Sequence, residues 1–341
     1  MIPSGVPTAP PYSSETVPLE AAELLRVEGL AISFPSPQGE VRAVRGVGFR
    51  VARGEAVALV GESGCGKSLT ALSVIGLVRP PARRVAGEIR FQGRDTATLS
   101  PSELRALRGR EIGMIFQEPS ASLNPVFTVG YQLGEALARD GRIPRAVIRA
   151  RAVELLRDVG VPDPEGRLHA YPGELSGGLR QRVMIAIATA CRPKLLIADE
   201  PTTALDVRVQ AQILGLLLRL RRERGMALLL ITHDLAVVAQ SADRVVVMYS
   251  GHCVEEAAVA ELFRSPLHPY TRGLLGSMPG HGLVPRKGRL PAIPGSVPSP
   301  SKLPSGCPFR DRCSLAVERC AEALPAWEEK LPGHGVRCVR A

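Results

Sequence analysis

Three observations predict an α/β fold built around a parallel sheet. Short apolar runs of strand length, VALV at 57–60, LLIA at 195–198 and MALLLIT at 226–232, lead into polar residues, as strands buried on both faces do. Runs with the 3.6-residue apolar period of a helix lie between them, among them SLTALSVIGLV at 68–78 and VMIAIATAC at 183–191. The stretch GESGCGKS, 61–68, joins the first of these strands directly to the first of these helices.

The chain of 341 residues is long enough for one large domain with an appendage or for two modest ones. Its 45% apolar and 22% charged content is ordinary for a globular protein. No apolar run approaches the ~20 residues that a membrane-crossing helix needs. Residues 1–24 open with MIPSGVPTAPPYSSETVPLE, which has neither the basic nor the apolar region of a signal peptide, so a flexible tail on a cytoplasmic protein is expected. The net charge of +10 is carried almost wholly by arginine, with lysine only at 67, 194, 287, 302 and 330. No cluster of five or more basic residues appears and none is interleaved with aromatics, so nucleic acid is not an expected partner.

Gly61, Gly66, Lys67 and Ser68 form the pattern G-x-x-x-x-G-K-[ST] between a strand and a helix. A polyphosphate concentrates negative charge, and a helix N-terminus offers unpaired N–H groups at the positive end of its dipole. Glycines at 61, 64 and 66 let successive amides line a concave nest where a Cβ would intrude. Lys67 can reach the β- and γ-phosphates and the Ser68 hydroxyl can ligate Mg²⁺. The bland alternative is a plain turn. Downstream, LLIADE ends in two carboxylates at the edge where open α/β sheets bind ligands. Asp199 suits a Mg²⁺ held through water, and Glu200 could polarise a water against the γ-phosphate; a solvated loop is the competing reading of the pair.

At 175–182 the chain reads LSGGLRQR, with Ser176 as a good N-cap and Gly177 and Gly178 leaving bare amides at a second helix start. With these motifs, residues from about 25 to 275 resemble the ATP-binding cassette family. The resemblance implies a P-loop NTPase cassette: a RecA-like core, an antiparallel β subdomain and a helical subdomain at about 120–190 that carries the signature. It implies that ATP is sandwiched between the phosphate loop of one cassette, including Ser63, Cys65 and Leu69, and Ser176, Gly177 and Gly178 of the other. Gln117 in MIFQEP resembles the glutamine that senses Mg²⁺ and the attacking water. Asp206 in TTALD resembles the aspartate that works across the dimer, and His233 in LLLITHD the switch histidine that bonds the γ-phosphate. Phe34 in AISFPSP lies where the family stacks an aromatic ring on adenine. Hydrolysis of ATP by closure of a cassette dimer is the activity implied.

Three stretches, SASLNPVFTVG (120–130), EPTTALDVRVQAQIL (200–214) and HPYTRGLL (268–275), resemble the ATPase subunits of oligopeptide, dipeptide and nickel importers. That resemblance implies two transmembrane permease subunits as partners, a second ATPase subunit or a second copy of this chain, and indirectly an extracytoplasmic solute-binding protein. It places the chain peripherally on the cytoplasmic face of the inner membrane. The competing reading is a soluble cassette ATPase acting on nucleic acid or ribosomes, which the single phosphate loop and the lack of sustained heptads disfavour.

Residues 276–341 differ in composition and resemble the C-terminal extension of peptide-importer ATPases. They hold four of the seven cysteines, Cys307, Cys313, Cys320 and Cys338, spaced C-x5-C-x6-C-x17-C. Stable disulfides are disfavoured in the cytosol. A [4Fe–4S] cluster on the four thiolates is the first expectation, Zn²⁺ the second because C-x2-C knuckles are absent, and unligated or redox-labile thiols the third. A redox module regulated by the cassette is a further alternative with only the spacing behind it. Cys191 and Cys253 read as small apolar fillers.

Overall fold

A computed structural model describes residues 23–37, 39–118, 122–139, 141, 143–203, 205–278 and 292–341. The expected flexible tail lies outside the described residues except at its end, because the first strand already starts at Glu23. In chain order the strands are β1 (Glu23–Ser36), β2 (Gly39–Ala52), β3 (Ala56–Val60), β4 (Arg83–Phe91), β5 (Arg94–Asp95), β6 (Ile112–Ile115), β7 (Leu195–Asp199), β8 (Ala227–Thr232), β9 (Arg244–Tyr249), β10 (His252–Ala258), β11 (Glu328–Leu331) and β12 (His334–Val336). They form two sheets. A four-stranded sheet has the order β2-β1-β4-β5, and an eight-stranded one the order β11-β12-β10-β9-β3-β8-β7-β6. In the larger sheet β9, β3, β8, β7 and β6 run parallel, in register from Val57↔Arg244 through Ala56↔Leu228 and Leu195↔Ala227 to Ile112↔Leu195.

The central strands are apolar at nearly every position, with polar residues only at their ends, because both faces are covered. Their period of two divides them: Leu195, Ile197, Leu229 and Ile231 face the antiparallel sheet and the helix α1 (Lys67–Val74). Leu196, Ala198, Leu228 and Leu230 face the helical side. That side comprises α2 (Val129–Ala138), α3 (Ile148–Asp158), α4 (Gly177–Thr189) and α5 (Val207–Arg224). A third cluster joins Ala58, Val60, Val245 and Val247 to α6 (Leu235–Ser241), α7 (Val259–Arg264), α8 (Pro269–Gly276) and Phe309 of the extension. Among the described residues no helix is long and apolar enough to cross a membrane.

The helix read from SLTALSVIGLV is shorter than its pattern, for a local reason. Gly76 takes φ 62°, its N–H bonds Ser73 O at 3.0 Å and the Leu77 N–H bonds Leu72 O at 2.8 Å, which is the paired closure of a Schellman cap. The apolar residues after Val74 therefore pack as loop; Ile75, Leu77 and Val78 still join the core.

The extension continues the large sheet through β12, where Glu255↔Val336 and Glu256↔Gly335 pair antiparallel. At that seam the fully buried Glu255 carboxylate accepts from the Leu267 and His268 N–H groups at 2.6 and 2.9 Å and meets His334 Nε2 at 2.8 Å. His268 caps α8 by accepting the Tyr270 N–H on Nδ1 at 3.0 Å, a bond that only the neutral ring can accept. Burial, helped by the Arg272 charge, pushes His268 down to about 3.

The unfolded histidine titrates near 6.5, so the unfolded chain binds the extra proton first, and stability is complete above that pH and falls as pH drops toward 3. Urea melts should lose about 2.5 kcal/mol between pH 7 and pH 4.5 from this group. In His268→Asn, whose side chain also caps, that pH slope should flatten.

Candidate nucleotide site

The loop after β3 is shaped by contacts that exclude a Cβ. At Gly61 an added Cβ would stand 2.2 Å from Met248 O, and at Gly66 (φ 101°) it would press on Ala43 O at 3.0 Å and Val44 Cγ2 at 3.1 Å. Gly64 (φ 79°) and Ser63 are exposed at the crest, and Leu69 packs partly on the core behind. Buried Lys67 opens α1 and folds back over the loop, donating from Nζ to Gly61 O at 2.7 Å and Glu62 O at 3.1 Å. Cys65, fully buried, lies against that ammonium at 3.8 Å; burial pushes its thiol up, while Lys67 pulls the other way.

The remaining polar groups arrive on neighbouring strands. Because β7 lies beside β8, and β6 beside β7, Asp199, Glu200, His233 and Gln117 all fall at the carboxyl edge of one parallel sheet. Ser68 Oγ donates to Asp199 Oδ1 at 3.1 Å. Burial is the largest influence on Asp199 and raises its pKa, opposed by the Ser68 hydrogen bond, reinforced by Glu200 and opposed by Lys67. Glu200 sits in the left-handed region at φ 46°, while its N–H still bonds Ile231 O at 2.9 Å. For a glutamate that backbone is costly, and it aims the carboxylate off the strand end. Oε2 accepts from Gln117 Nε2 at 3.2 Å and Thr203 Oγ1 at 2.9 Å, and Oε1 faces His233 Nδ1 at 3.4 Å. The Glu200 side chain is 11% exposed, against 60% for the His233 ring. Gln117, Glu200 and His233, far apart in the chain, thus meet at one place, Gln117 hydrogen-bonded to the carboxylate and His233 beside it.

Ser176 caps α4, accepting the Leu179 N–H at 3.4 Å, and stays exposed together with Gly177. Gly178 lies against α5, where an added Cβ would meet Val209 Cγ1 at 3.0 Å. Asp206 caps α5 through the Arg208 and Val209 N–H groups at 3.1 and 3.0 Å, and Val207 beside it is 81% exposed. The two caps therefore lie on an open surface, not in the Glu200 group. Phe34, near the end of β1, is partly buried against the antiparallel-sheet core.

Reading the sequence alone missed three residues. Thr203 braces Glu200. The Tyr270 hydroxyl accepts the Glu62 N–H at 2.9 Å, and Arg312 holds the Glu62 carboxylate with two bonds of 2.7 and 3.0 Å. Tyr270 stood within a stretch singled out for resemblance, but nothing local marked Arg312 apart from the many other arginines.

The metal centre expected in the extension finds no support among the described residues. Cys307, Cys313, Cys320 and Cys338 line one cavity of about 10 Å³ with His268 and Phe309. Yet among the described residues no group of three or more His, Cys, Asp or Glu side chains is arranged to hold a metal ion. The [4Fe–4S] and Zn²⁺ expectations lack support. Burial pushes Cys307 up to about 11 and also raises Cys313 and Cys338, and Cys307 and Cys313 pack partly against the third core cluster. Cys191 and Cys253 are buried fillers, Cys253 pushed up to about 12 by burial.

Fold and site together define an ATP-binding cassette. Residues 44–203 match the ABC transporter family, and residues 254–320 match the oligopeptide/dipeptide transporter C-terminal region. A probable peptide ABC transporter ATP-binding protein of Sinorhizobium fredii is 50% identical over 319 residues, covering 93% of this chain and 95% of its own. The dipeptide transport ATP-binding protein DppD of Escherichia coli is 47% identical over 315 residues, 92% of this chain and 96% of its own. A cassette solved as a dimer in a post-hydrolysis state with ADP and Pi is 29% identical, with a TM-score of 0.62 over 69% of this chain and 99% of that one. The chain belongs to the ABC transporter family, as an ATP-hydrolysing subunit.

Glu200→Gln keeps the shape and the Gln117 and Thr203 contacts but removes the carboxylate charge. It should retain ATP affinity and lose turnover by about 10²- to 10⁴-fold, read by equilibrium binding beside phosphate release. Gly61→Ala should weaken ATP binding and lower the melting temperature, since a Cβ has no room against the Met248 carbonyl.

Proposed function

We propose that the chain is the ATP-driven motor of a peptide importer, working by closure of a cassette dimer. The observation that carries the hydrolytic part is the convergence of Gln117, Glu200 and His233 at the sheet edge beside the Ser68–Asp199 pair. The loop amides and Lys67 would take the β- and γ-phosphates. Ser68 and Asp199 supply the hard oxygen donors that Mg²⁺ takes, and Mg²⁺ would neutralise charge on the phosphoryl oxygens. Glu200 would hold the attacking water, with Gln117 and Thr203 fixing its carboxylate and His233 at hand for the γ-phosphate. Phe34 would stack on adenine. Ser176, Gly177 and Asp206, exposed on their own cassette, and the half-buried Gly178 beside them would complete the site of a second one, either another copy or a sister subunit.

Two permease subunits at the cytoplasmic face of the inner membrane are the partners in this reading. Phe127 and Tyr131 support it: their rings stack at 4.4 Å and are 39% and 54% exposed, with Val126 beside them at 70%. An aromatic and apolar patch of that kind marks a protein interface. The match of 254–320 to the oligopeptide/dipeptide transporter region, and the peptide and dipeptide transport of the relatives' names, support peptides as cargo.

The test is ATPase activity of the protein reconstituted with a peptide permease pair in liposomes. Stimulation by peptide-loaded binding protein, with none by DNA or RNA, is the expected result, and the reverse would overturn the reading. The Phe127→Ala/Tyr131→Ala pair should cut stimulated turnover about tenfold while basal hydrolysis stays within about twofold.

A further inference from the structure

We propose that Arg312 of the C-terminal extension is a positioning residue for ATP binding, acting through Glu62 of the phosphate loop; this rests on the nucleotide reading of that loop. Glu62 is tied at three points. Its N–H donates to the Tyr270 hydroxyl at 2.9 Å, its carbonyl accepts from Lys67 Nζ at 3.1 Å, and its carboxylate accepts from Arg312 Nη1 at 2.7 Å and Nη2 at 3.0 Å. Two of the three ties come from outside the phosphate loop, and one crosses 250 residues of sequence.

Arg312 is built into place. Its side chain is 6% exposed, its Nε donates to Pro294 O at 2.9 Å, and Nη1 also reaches the Tyr249 hydroxyl at 3.3 Å. Its guanidinium carbon lies 5.8 Å from the Tyr249 ring centre and 5.9 Å from that of Phe309. Tyr249, Tyr270 and Phe309 are mutually packed, with centroids 4.7, 5.1 and 5.3 Å apart. The Glu62 carboxylate raises the Arg312 pKa further, so the cation is permanent. Planar two-bond pairing within an aromatic frame is a geometry that arginine fills and lysine does not.

The consequence for nucleotide follows from charge. Glu62 carries a carboxylate one residue into a loop meant for polyphosphate, and Lys67 lies against the same residue's carbonyl. Paired with Arg312, that carboxylate is neutralised and held by two bonds. Released, it would repel the phosphates and offer Lys67 an intramolecular anion in competition with them. The extension thus holds the phosphate loop ready for its ligand.

The experiment uses the full chain, in wild-type form and as R312A, R312K, E62Q and R312A/E62Q, with Lys67→Ala as reference. Binding of a fluorescent ATP analogue without magnesium is measured beside KM and kcat for ATP, and melting without nucleotide shows which variants are folded. R312A should raise Kd and KM about tenfold while kcat changes less than about threefold, a coupling of the size neighbouring residues share. R312K, which keeps the charge but not the fork, should fall between. Removing the carboxylate should return R312A/E62Q to within about threefold of wild type. Wild-type affinity in R312A and R312K, or a double variant as weak as R312A, would overturn the proposal. If R312A does not fold, R312K and E62Q decide in the same way: R312K must weaken binding while E62Q does not. Loss of binding in Lys67→Ala with unaffected Arg312 variants sinks this inference alone; retained binding in Lys67→Ala sinks the nucleotide reading beneath it.

Discussion

Covering both faces of a parallel sheet confines its chemistry to an edge. β3, β8, β7 and β6 bury every or nearly every side chain they carry, so a polar group on them can reach solvent or a ligand only where the strand stops. Parallel direction puts all those stops on one side. The Lys67 loop, His233, the Asp199–Glu200 pair and Gln117 are gathered there by strand order, and their distances follow from the inter-strand spacing more than from any affinity among them. Apolar burial that stabilises the sheet and polar convergence that forms the site are two results of the same arrangement.

At the edge itself, backbone does what side chains cannot. The Met248 and Ala43 carbonyls leave no room for a Cβ at Gly61 and Gly66, so the loop is pinned from beneath, and Tyr270 holds its Glu62 amide. Glu200 accepts a left-handed backbone, and the ladder bond to Ile231 and the braces from Gln117 and Thr203 hold it there. Strain at one residue is tolerable because the strands around it are over-determined by packing.

The extension alters the meaning of the fold it joins. Through β12 it prolongs the core sheet, through His334 it meets the buried Glu255, and through Arg312 it touches the phosphate loop. A segment that composition sets apart is therefore part of the catalytic domain's own frame. Its cysteines, conspicuous in sequence, line one small cavity, whereas its inconspicuous Arg312 reaches the site.

How much of this was legible in one dimension depended on whether the signal was local. The glycine-rich loop, the strand ends at Glu200 and His233, and the caps at Ser176 and Asp206 are short patterns confined to a few residues, so residue order alone determined where they fall, along with the α/β class. Helix ends were less legible: α1 stops at a glycine closure that apolar periodicity overlooks. What only tertiary structure decided is which distant groups share a position: Gln117 and Thr203 on Glu200, Tyr270 and Arg312 on Glu62, and four cysteines that line a cavity without forming a ligand set. Spacing along a chain constrains distance only over a few residues. Beyond that, strand order and packing set it, and an arginine among many carries no local mark of the carboxylate it will meet.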